Sequence, residues 1–161
     1  MGAIFVASFS AVAVSAAQDV FEITAPANSR VAIREIRLGQ YSDPGDAQAE
    51  MLSVSIIRGY TSGGTGGSTV TPVNIMGHPN AGAASAVVEI NNTTIASGGS
   101  AVTLCADTFN VMGGWRFYPV PDERPIVTIN GIIVVRISAP ADALTMNGTI
   151  VFEEIGTGLA S

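Results

Sequence analysis

The sequence predicts an all-β fold: a jelly-roll-like β-sandwich of about eight to ten antiparallel strands, with an N-terminal extra strand or arm. Apolar residues recur with a period of two in short runs, which is the pattern of half-buried strands. Turn residues separate these runs at short intervals, and no segment shows a sustained helical repeat or a βαβ unit. The 161 residues are predicted to form a single β-sandwich domain over 1–161, without internal repeats.

The N-terminal segment, residues 1–17, is predicted to be the first strand or an extended arm. Phe5, Ala7 and Phe9 fall on one face, and Ile4 and Val6 fall on the other. Its apolar composition is similar to that of a signal peptide, but the basic start of such a peptide is missing. The run is also too short and too rich in serine to span a bilayer. A cleaved signal stays open as the alternative.

The next part of the chain alternates in the same way. One face of the Arg30–Gly39 run is predicted to hold Val31 and Ile33, and the other Arg34, Ile36 and Leu38. Strands are predicted at Asp19–Thr24, Arg30–Gly39 and Leu52–Arg58, with a turn or helical turn over 41–50.

Loops and short strands fill the rest of the chain. Thr61–Thr69 is predicted to be a flexible Gly/Ser loop, and Pro72 makes Val70–Met76 an edge strand. Val120–Pro125 is predicted to be a stiff connection. An Asn130-Gly131 turn joins two short strands, or interrupts one long bulged strand. The remaining predicted strands are Val87–Ile90, Val102–Phe109, Trp115–Tyr118, Ile126–Ile129, Ile132–Ser138 and Thr149–Ile155.

The charge balance excludes several classes of protein. Only 12% of the residues are charged, against about 25% in a typical domain. All seven cations are arginine, and the net charge is −6, which argues against direct nucleic-acid binding because phosphate neutralisation needs clustered cations. An apolar content of 47% excludes disorder. So few charges predict that part of the surface is buried against copies of the chain or a larger assembly; the alternative is a monomer covered by Ser, Thr, Asn and Gly.

Residues that could carry chemistry are sparse. The single histidine, His78, is predicted to be an exposed loop residue, so a metal-dependent cupin is excluded. Cys105 is predicted to be a small core residue rather than a nucleophile. Asp43, Asp46 and Glu50 match no standard calcium loop. We therefore predict no enzymatic activity, no cofactor and no metal.

Two segments stand out as candidate interfaces. The N-terminal strand could add to a neighbour's sheet edge, and the Gly113–Tyr118 segment combines aromatic residues with Arg116, a combination typical of interface hot spots. Trp115 with Tyr118 could also stack on sugars, whereas Trp115 and Phe117 could instead line the core face of one strand. The predicted interface residues are Ile4, Phe5, Val6, Phe9, Trp115, Arg116 and Tyr118.

The C-terminal part of the chain carries a family resemblance. The runs GGWRFYPVPDERP at 113–125, VVRISAP at 134–140 and NGTIVFEEIG at 147–156, with the Ala141–Leu144 turn, resemble small virion structural proteins of tailed bacteriophages. This resemblance implies a jelly-roll-like decoration or cement protein that bridges major capsid protein subunits, with a homotrimer favoured. It also implies a place on the outer capsid surface and synthesis in the host cytoplasm, without membrane or direct nucleic-acid contact.

Two alternatives remain at this point. One is a receptor- or carbohydrate-binding β-sandwich of a tail or fibre assembly, in which Trp115 would be needed for glycan binding. The other is a secreted bacterial surface protein. If the N-terminal segment is an arm, deletion of residues 1–15 is expected to weaken capsid attachment and to leave a β fold.

Overall fold

The alternating runs form antiparallel strands throughout the computed structural model, which describes residues 2–42, 50–77 and 82–156. Two segments with turn-forming residues, Asp43–Ala49 and His78–Ala81, lie outside this part of the chain, as does the prediction for His78. The twelve strands are β1 (Ala3–Val14), β2 (Gln18–Thr24), β3 (Ser29–Ser42), β4 (Met51–Tyr60), β5 (Ser68–Val70), β6 (Val73–Asn74), β7 (Val87–Asn92), β8 (Val102–Asn110), β9 (Trp115–Phe117), β10 (Ile126–Val127), β11 (Ile132–Ile137) and β12 (Leu144–Gly156).

The strands form two sheets whose order confirms the jelly-roll-like prediction. Sheet A has the order β10-β3-β12-β1-β6, and β9 pairs with β3 as well; sheet B has the order β5-β7-β2-β11-β4-β8. We set β5, β6 and β7 aside as an insertion and count β9 and β10 as one position. Positions 1 to 4 are then β1 to β4, position 5 is β8, position 6 is β9/β10, position 7 is β11 and position 8 is β12. In this numbering one sheet runs 1-8-3-6 and the other 2-7-4-5. That is the strand order of a jelly roll. The first strand is therefore part of the eight and not an addition to them.

The core lies between the inner faces of the two sheets. Phe5 and Phe152 pack side by side within sheet A, with ring centroids 5.8 Å apart. Phe9 of sheet A contacts Phe21 of sheet B at 5.1 Å. All four phenylalanines are buried, and the Phe9–Phe21 contact joins β1 of sheet A to β2 of sheet B across the sandwich.

A β-bulge in β3 corrects the predicted faces of this strand. Glu35 lies opposite Val151 and Ile33 lies opposite Phe152, which leaves Arg34 as the extra residue. A bulge shifts the alternation by one position. As a result, Ile33 and Ile36 both reach the core instead of lying on opposite faces.

Two proline- or glycine-marked connections separate strands that the sequence placed together. Pro72 divides the predicted Val70–Met76 edge strand into β5, which pairs in sheet B, and β6, which pairs in sheet A. The Asn130-Gly131 turn is present, with Asn130 at a φ of 56°. The flanking strands β10 and β11 do not form a hairpin, because β10 pairs with β3 and β11 pairs with β2 and β4.

The predicted flexibility of the Gly/Ser loop is wrong, because hydrogen bonds hold this segment against the outer face of sheet B. Gly64 N–H donates to the buried carboxylate of Glu22 at 2.7 Å, and Thr65 exchanges two backbone hydrogen bonds with Thr94. A Cβ on Gly67 would lie 2.1 Å from the carbonyl oxygen of Ile90. The glycines are therefore needed for close backbone approach, not for mobility.

Candidate interaction face

The outer face of sheet A carries an apolar patch at the β12-β1-β6 end. Val6 lies opposite both Val151 and Val73, and Ile75 N–H donates to the Ile4 carbonyl oxygen at 3.0 Å. Residues directly opposite each other in an antiparallel ladder share a face, so these side chains form one surface. Val73 is 64% exposed and Ile75 is 54% exposed. We call this surface the apolar patch; its members are the exposed Val73 and Ile75 and the half-buried Ile4 and Val6, and the buried Val151 lies beneath them.

Charged residues border the apolar patch on the side of β3. Glu153, next to Ile4, accepts hydrogen bonds from Arg34 at 2.6 Å and from the Gly2 N–H at 2.8 Å. Further along the same face, Glu35 lies between Arg116 at 2.9 Å and Arg37 at 3.4 Å. An apolar centre with a polar rim of paired charges is the usual anatomy of a protein–protein interface.

A groove opens beside this face, where the β9/β10 edge of sheet A stands next to the β8 edge of sheet B. Its volume is about 690 Å³. Apolar and aromatic side chains form one part of the lining, which includes Leu104, Phe117, Tyr118 and Ile126. The short 3-10 helix Pro121–Glu123 closes the far side.

The charges in the groove are of both signs. Arg58 donates to the carbonyl oxygen of Ile126 at 2.7 Å, and Arg124 stands 3.9 Å from Glu153. The Arg116 guanidinium lies over the Tyr118 ring at 5.1 Å, a cation–π contact. Asp122 and Glu123 add two carboxylates. Mixed charges around exposed aromatic and apolar groups suit a protein surface better than a small ligand of one charge.

The structure divides the predicted interface residues between two environments. Ile4 and Val6 lie in the apolar patch, Arg116 belongs to its charged border, and Tyr118 is 69% exposed in the groove. Two segments more than a hundred positions apart in the sequence thus reach one face of one sheet.

The other three predicted interface residues point into the sandwich. Phe5, Phe9 and Trp115 are buried, which leaves little of their side chains for a partner. Trp115 stacks on Phe117 with ring centroids 6.0 Å apart, so the prediction that its face stacks on sugars is wrong. Its indole N–H donates to the Asp107 carboxylate at 2.9 Å, which links the β9 edge to β8. The core-face interpretation of Trp115 and Phe117 is confirmed.

Val73 and Ile75 were missed at the sequence level. They follow Pro72 in a run too short to alternate visibly, and only their pairing with β1 shows which face they occupy. A pairing between strands nearly seventy positions apart has no local signal in the sequence.

The groups that could carry catalysis are scattered. Burial raises the pKa of the Cys105 thiol, and the nearby Asp107 carboxylate acts in the same direction. The Glu50 carboxylate accepts the Ala141 N–H, while Asp43 and Asp46 lie outside the described residues. In the described ranges, no three His, Cys, Asp or Glu side chains come together in a way that could hold a metal ion. The same ranges contain no helix with the length and apolar character needed to cross a bilayer.

Comparison with known proteins gives a single weak likeness to report. No family model matches the chain, and no curated protein matches it. Among solved structures, a chain from the three-dimensional structure of maize chlorotic mottle virus, determined by single-particle analysis, is 13% identical with a TM-score of 0.29. The match covers 99% of this chain and 97% of that one. A likeness at this level carries no functional conclusion.

Proposed function

We propose that this chain is a non-enzymatic structural protein of a phage virion, which decorates the outer capsid surface and bridges subunits of the major capsid protein. The apolar patch on sheet A is the observation that carries the proposal. In this proposal the protein acts as a homo-oligomer, with a trimer favoured, and contacts neither nucleic acid nor membrane. The bacteriophage resemblance of residues 113–156 and the jelly-roll order of the strands support the same class of function.

The physical support comes from the chemistry of the patch. Contiguous exposed apolar groups with a polar rim mark interaction sites on soluble proteins. A sheet face is held rigid by its ladder of hydrogen bonds, so it can make many small contacts with a partner without ordering a loop. A cement protein needs this property, because its attachment must hold over a wide contact area.

Substitution at Val73 of β6 and at the neighbouring Ile75 tests the attachment surface. The double variant Val73→Ser/Ile75→Ser removes apolar side chains that are more than half exposed, so the fold is expected to stay intact. Val120→Ser is the matched control, because Val120 is 58% exposed and lies outside the patch. Binding is measured by co-sedimentation with shells assembled from the major capsid protein of the same virus.

We expect the double variant to lose at least about tenfold in shell affinity, which corresponds to about 1.4 kcal/mol, and the control to bind like the wild type. Equal binding by the double variant and the wild type would refute the apolar patch as the attachment surface. A wild-type protein that does not bind shells would refute the proposed function.

Receptor or carbohydrate binding in a tail or fibre assembly is the second candidate, and Tyr118 favours it. This ring is largely exposed, lines the groove beside two carboxylates, and has one face covered by Arg116. An exposed aromatic ring next to polar groups suits sugar stacking. A glycan array with the wild type and Tyr118→Ala decides the matter: binding that depends on Tyr118 supports this candidate, and the absence of glycan binding removes it.

A further inference from the structure

We propose that copies of this chain assemble head to tail, with the outer edge of β1 in one copy pairing with the outer edge of β8 in the next. The pairing extends sheet A of one copy into sheet B of its neighbour. It rests on the proposed function for its biological purpose, since it supplies the oligomer, but it uses neither the apolar patch nor a capsid shell.

The β8 strand is an unusually open edge. It pairs only with β4 among the described strands, and eight of its nine residues are at least partly exposed. Val111 N–H donates to the Glu50 carbonyl oxygen at 3.0 Å, so the backbone groups of Val111 point towards β4. Backbone groups of successive residues in an antiparallel strand point alternately towards and away from the neighbouring strand. Ala106, five positions before Val111, therefore directs its N–H and C=O away from β4. The open stretch ends at Asp107, whose carboxylate accepts the Thr108 N–H at 2.7 Å.

The second half of β1 is the corresponding edge of sheet A. The β6 strand covers β1 only at Phe5 and Val6, with one further hydrogen bond to the Ile4 carbonyl oxygen. By the same alternation, which holds up to the bulge after Phe9, Ser8 directs its N–H and C=O to the side that β6 leaves open. The Ser8 side chain is exposed. Further along, Val12 and Ala13 line a cleft with Gly67 and Ser68, so the open part of this edge lies around Ser8.

Apart from one bulge each, neither edge carries the features that normally prevent pairing. Natural edge strands are short, or they carry charged residues or proline. The other edges of this fold, β5, β6, β9 and β10, follow the rule, with two or three residues each. The open parts of β1 and β8, Ala7–Ser10 and Val102–Ala106, contain no charged residue and no proline. A bulge follows Phe9 in β1 and another lies at Leu104 in β8, which limits pairing to a short ladder centred on Ser8 and Ala106.

The position of the two edges favours a second copy as the occupant. They lie at opposite flanks of the sandwich, because β1 stands at the β6 side of sheet A and β8 ends sheet B beside β9 and β10. A contact between two different surfaces repeats from copy to copy and closes into a ring when the rotation allows. Such a ring covers both open edges of every copy. A symmetric β8–β8 dimer would leave each β1 edge open.

Proline variants test the pairing without disturbing the sheets. Ala106→Pro and Ser8→Pro each remove one outward N–H that no neighbouring strand uses, a position where strands tolerate proline. Ala106→Ser and Ser8→Ala keep the backbone donors and are the matched controls. Native mass spectrometry gives the number of copies without shells, and circular dichroism confirms folding. Ala106→Glu and Ser8→Glu replace any proline variant that does not fold.

We expect the wild type and both controls to form an oligomer and each edge variant alone to be a monomer. An equimolar mixture of the two edge variants retains one intact contact, so it should form a 1:1 dimer. A monomeric wild type, a β1 variant with the wild-type mass, or a mixture that stays monomeric would overturn the proposal. The second of these results would point to β8–β8 pairing instead. If the wild type assembles as expected but does not bind shells, the proposed function fails and the edge pairing stands.

Discussion

The carboxylate of Asp19 is completely buried and receives two hydrogen bonds from the Arg136 guanidinium, at 2.6 and 3.1 Å. The same carboxylate accepts the Ala96 N–H at 2.7 Å. Arg136 also donates to the Tyr60 hydroxyl at 2.9 Å and to the Ala96 carbonyl oxygen at 3.1 Å. This network joins β2, β4 and β11 to the segment before β8, so the loops on the outer face of sheet B are anchored by a buried ion pair.

Arg136→Met is therefore expected to lower the free energy of unfolding by about 3–5 kcal/mol, because it leaves a buried charge without its partner. Arg30→Met, at an exposed arginine of the sheet A strand β3, should change stability by no more than about 0.5 kcal/mol. Urea unfolding followed by circular dichroism measures both. Similar stabilities for the two variants would show that Asp19 finds another partner or that water enters.

Glu22 should make stability depend on pH. Burial raises the pKa of Glu22 above its ordinary value of 4.5, and the Glu89 carboxylate opposite it adds to the rise. The folded state therefore binds the proton more tightly than the unfolded state. This contribution to stability is complete below about pH 4.5 and is lost as the pH rises through the folded-state pKa.

Glu22→Gln removes this titration and keeps an oxygen that can accept the Gly64 N–H. We expect the variant to gain stability relative to the wild type between pH 4 and pH 7, as measured by urea unfolding at both values. A constant difference across that range, or a change of opposite sign, would contradict the raised pKa.

Gly67→Ala should destabilise the protein by about 1–3 kcal/mol, since the new Cβ meets the carbonyl oxygen of Ile90 and the backbone must move. Gly39→Ala is the control, because nothing lies within 4 Å of a Cβ at that position and a strand interior favours alanine over glycine. Thermal melts compare the two variants. Equal melting temperatures would mean that the 61–69 segment is not held as tightly as its hydrogen bonds indicate.

Trp115 controls the ionisation of Asp107. The indole hydrogen bond is the main cause that lowers the pKa of Asp107 below its ordinary value of 3.8, followed by the bond from Thr108 N–H. Trp115→Phe should move this pKa back upward, as followed by NMR titration of the carboxyl carbon. Asp107 favours the folded state above pH 3.8, and this effect disappears as the pH falls through the lowered pKa. In the Trp115→Phe variant, the stability that Asp107 loses at low pH should be smaller than in the wild type. An unchanged Asp107 titration would exclude the indole as the cause of the lowered pKa.

The structure also changes what is expected of the N-terminal segment. Phe5 packs in the core against Phe152, so Phe5→Ala should lower the free energy of unfolding by about 3–5 kcal/mol. Ile4 faces outward, so Ile4→Ala should lower it clearly less. Chemical denaturation checks the two substitutions.

Deletion of residues 1–15 removes a strand that pairs with β12 over nearly its whole length. We expect this deletion to abolish folding rather than to leave a β fold. A truncated chain with a cooperative melt would restore the arm hypothesis.

The local pattern of apolar and polar residues was sufficient to predict the fold class. The alternation at Phe5, Ala7 and Phe9 and at Leu52, Val54 and Ile56 identified strands and the side chains that share a face, because the side-chain direction in a strand depends only on position parity. The adjacent acids Glu153 and Glu154 have separate partners for the same reason: Glu153 pairs with Arg34, whereas Glu154 accepts the Ser85 and Ala86 N–H.

Tertiary structure decided which strands meet and which surfaces remain open. The bulge at Arg34, the separation of β10 from β11, and the position of Val73 opposite Val6 all depend on pairing between distant segments. Such pairing is set by packing over the whole chain, so no local window contains it. The sequence by itself determined a lightly charged all-β chain with two candidate segments. Only the fold turned Phe5, Phe9 and Trp115 inward, brought Ile4, Val6 and Arg116 to one face, and left the edges at Ser8 and Ala106 open.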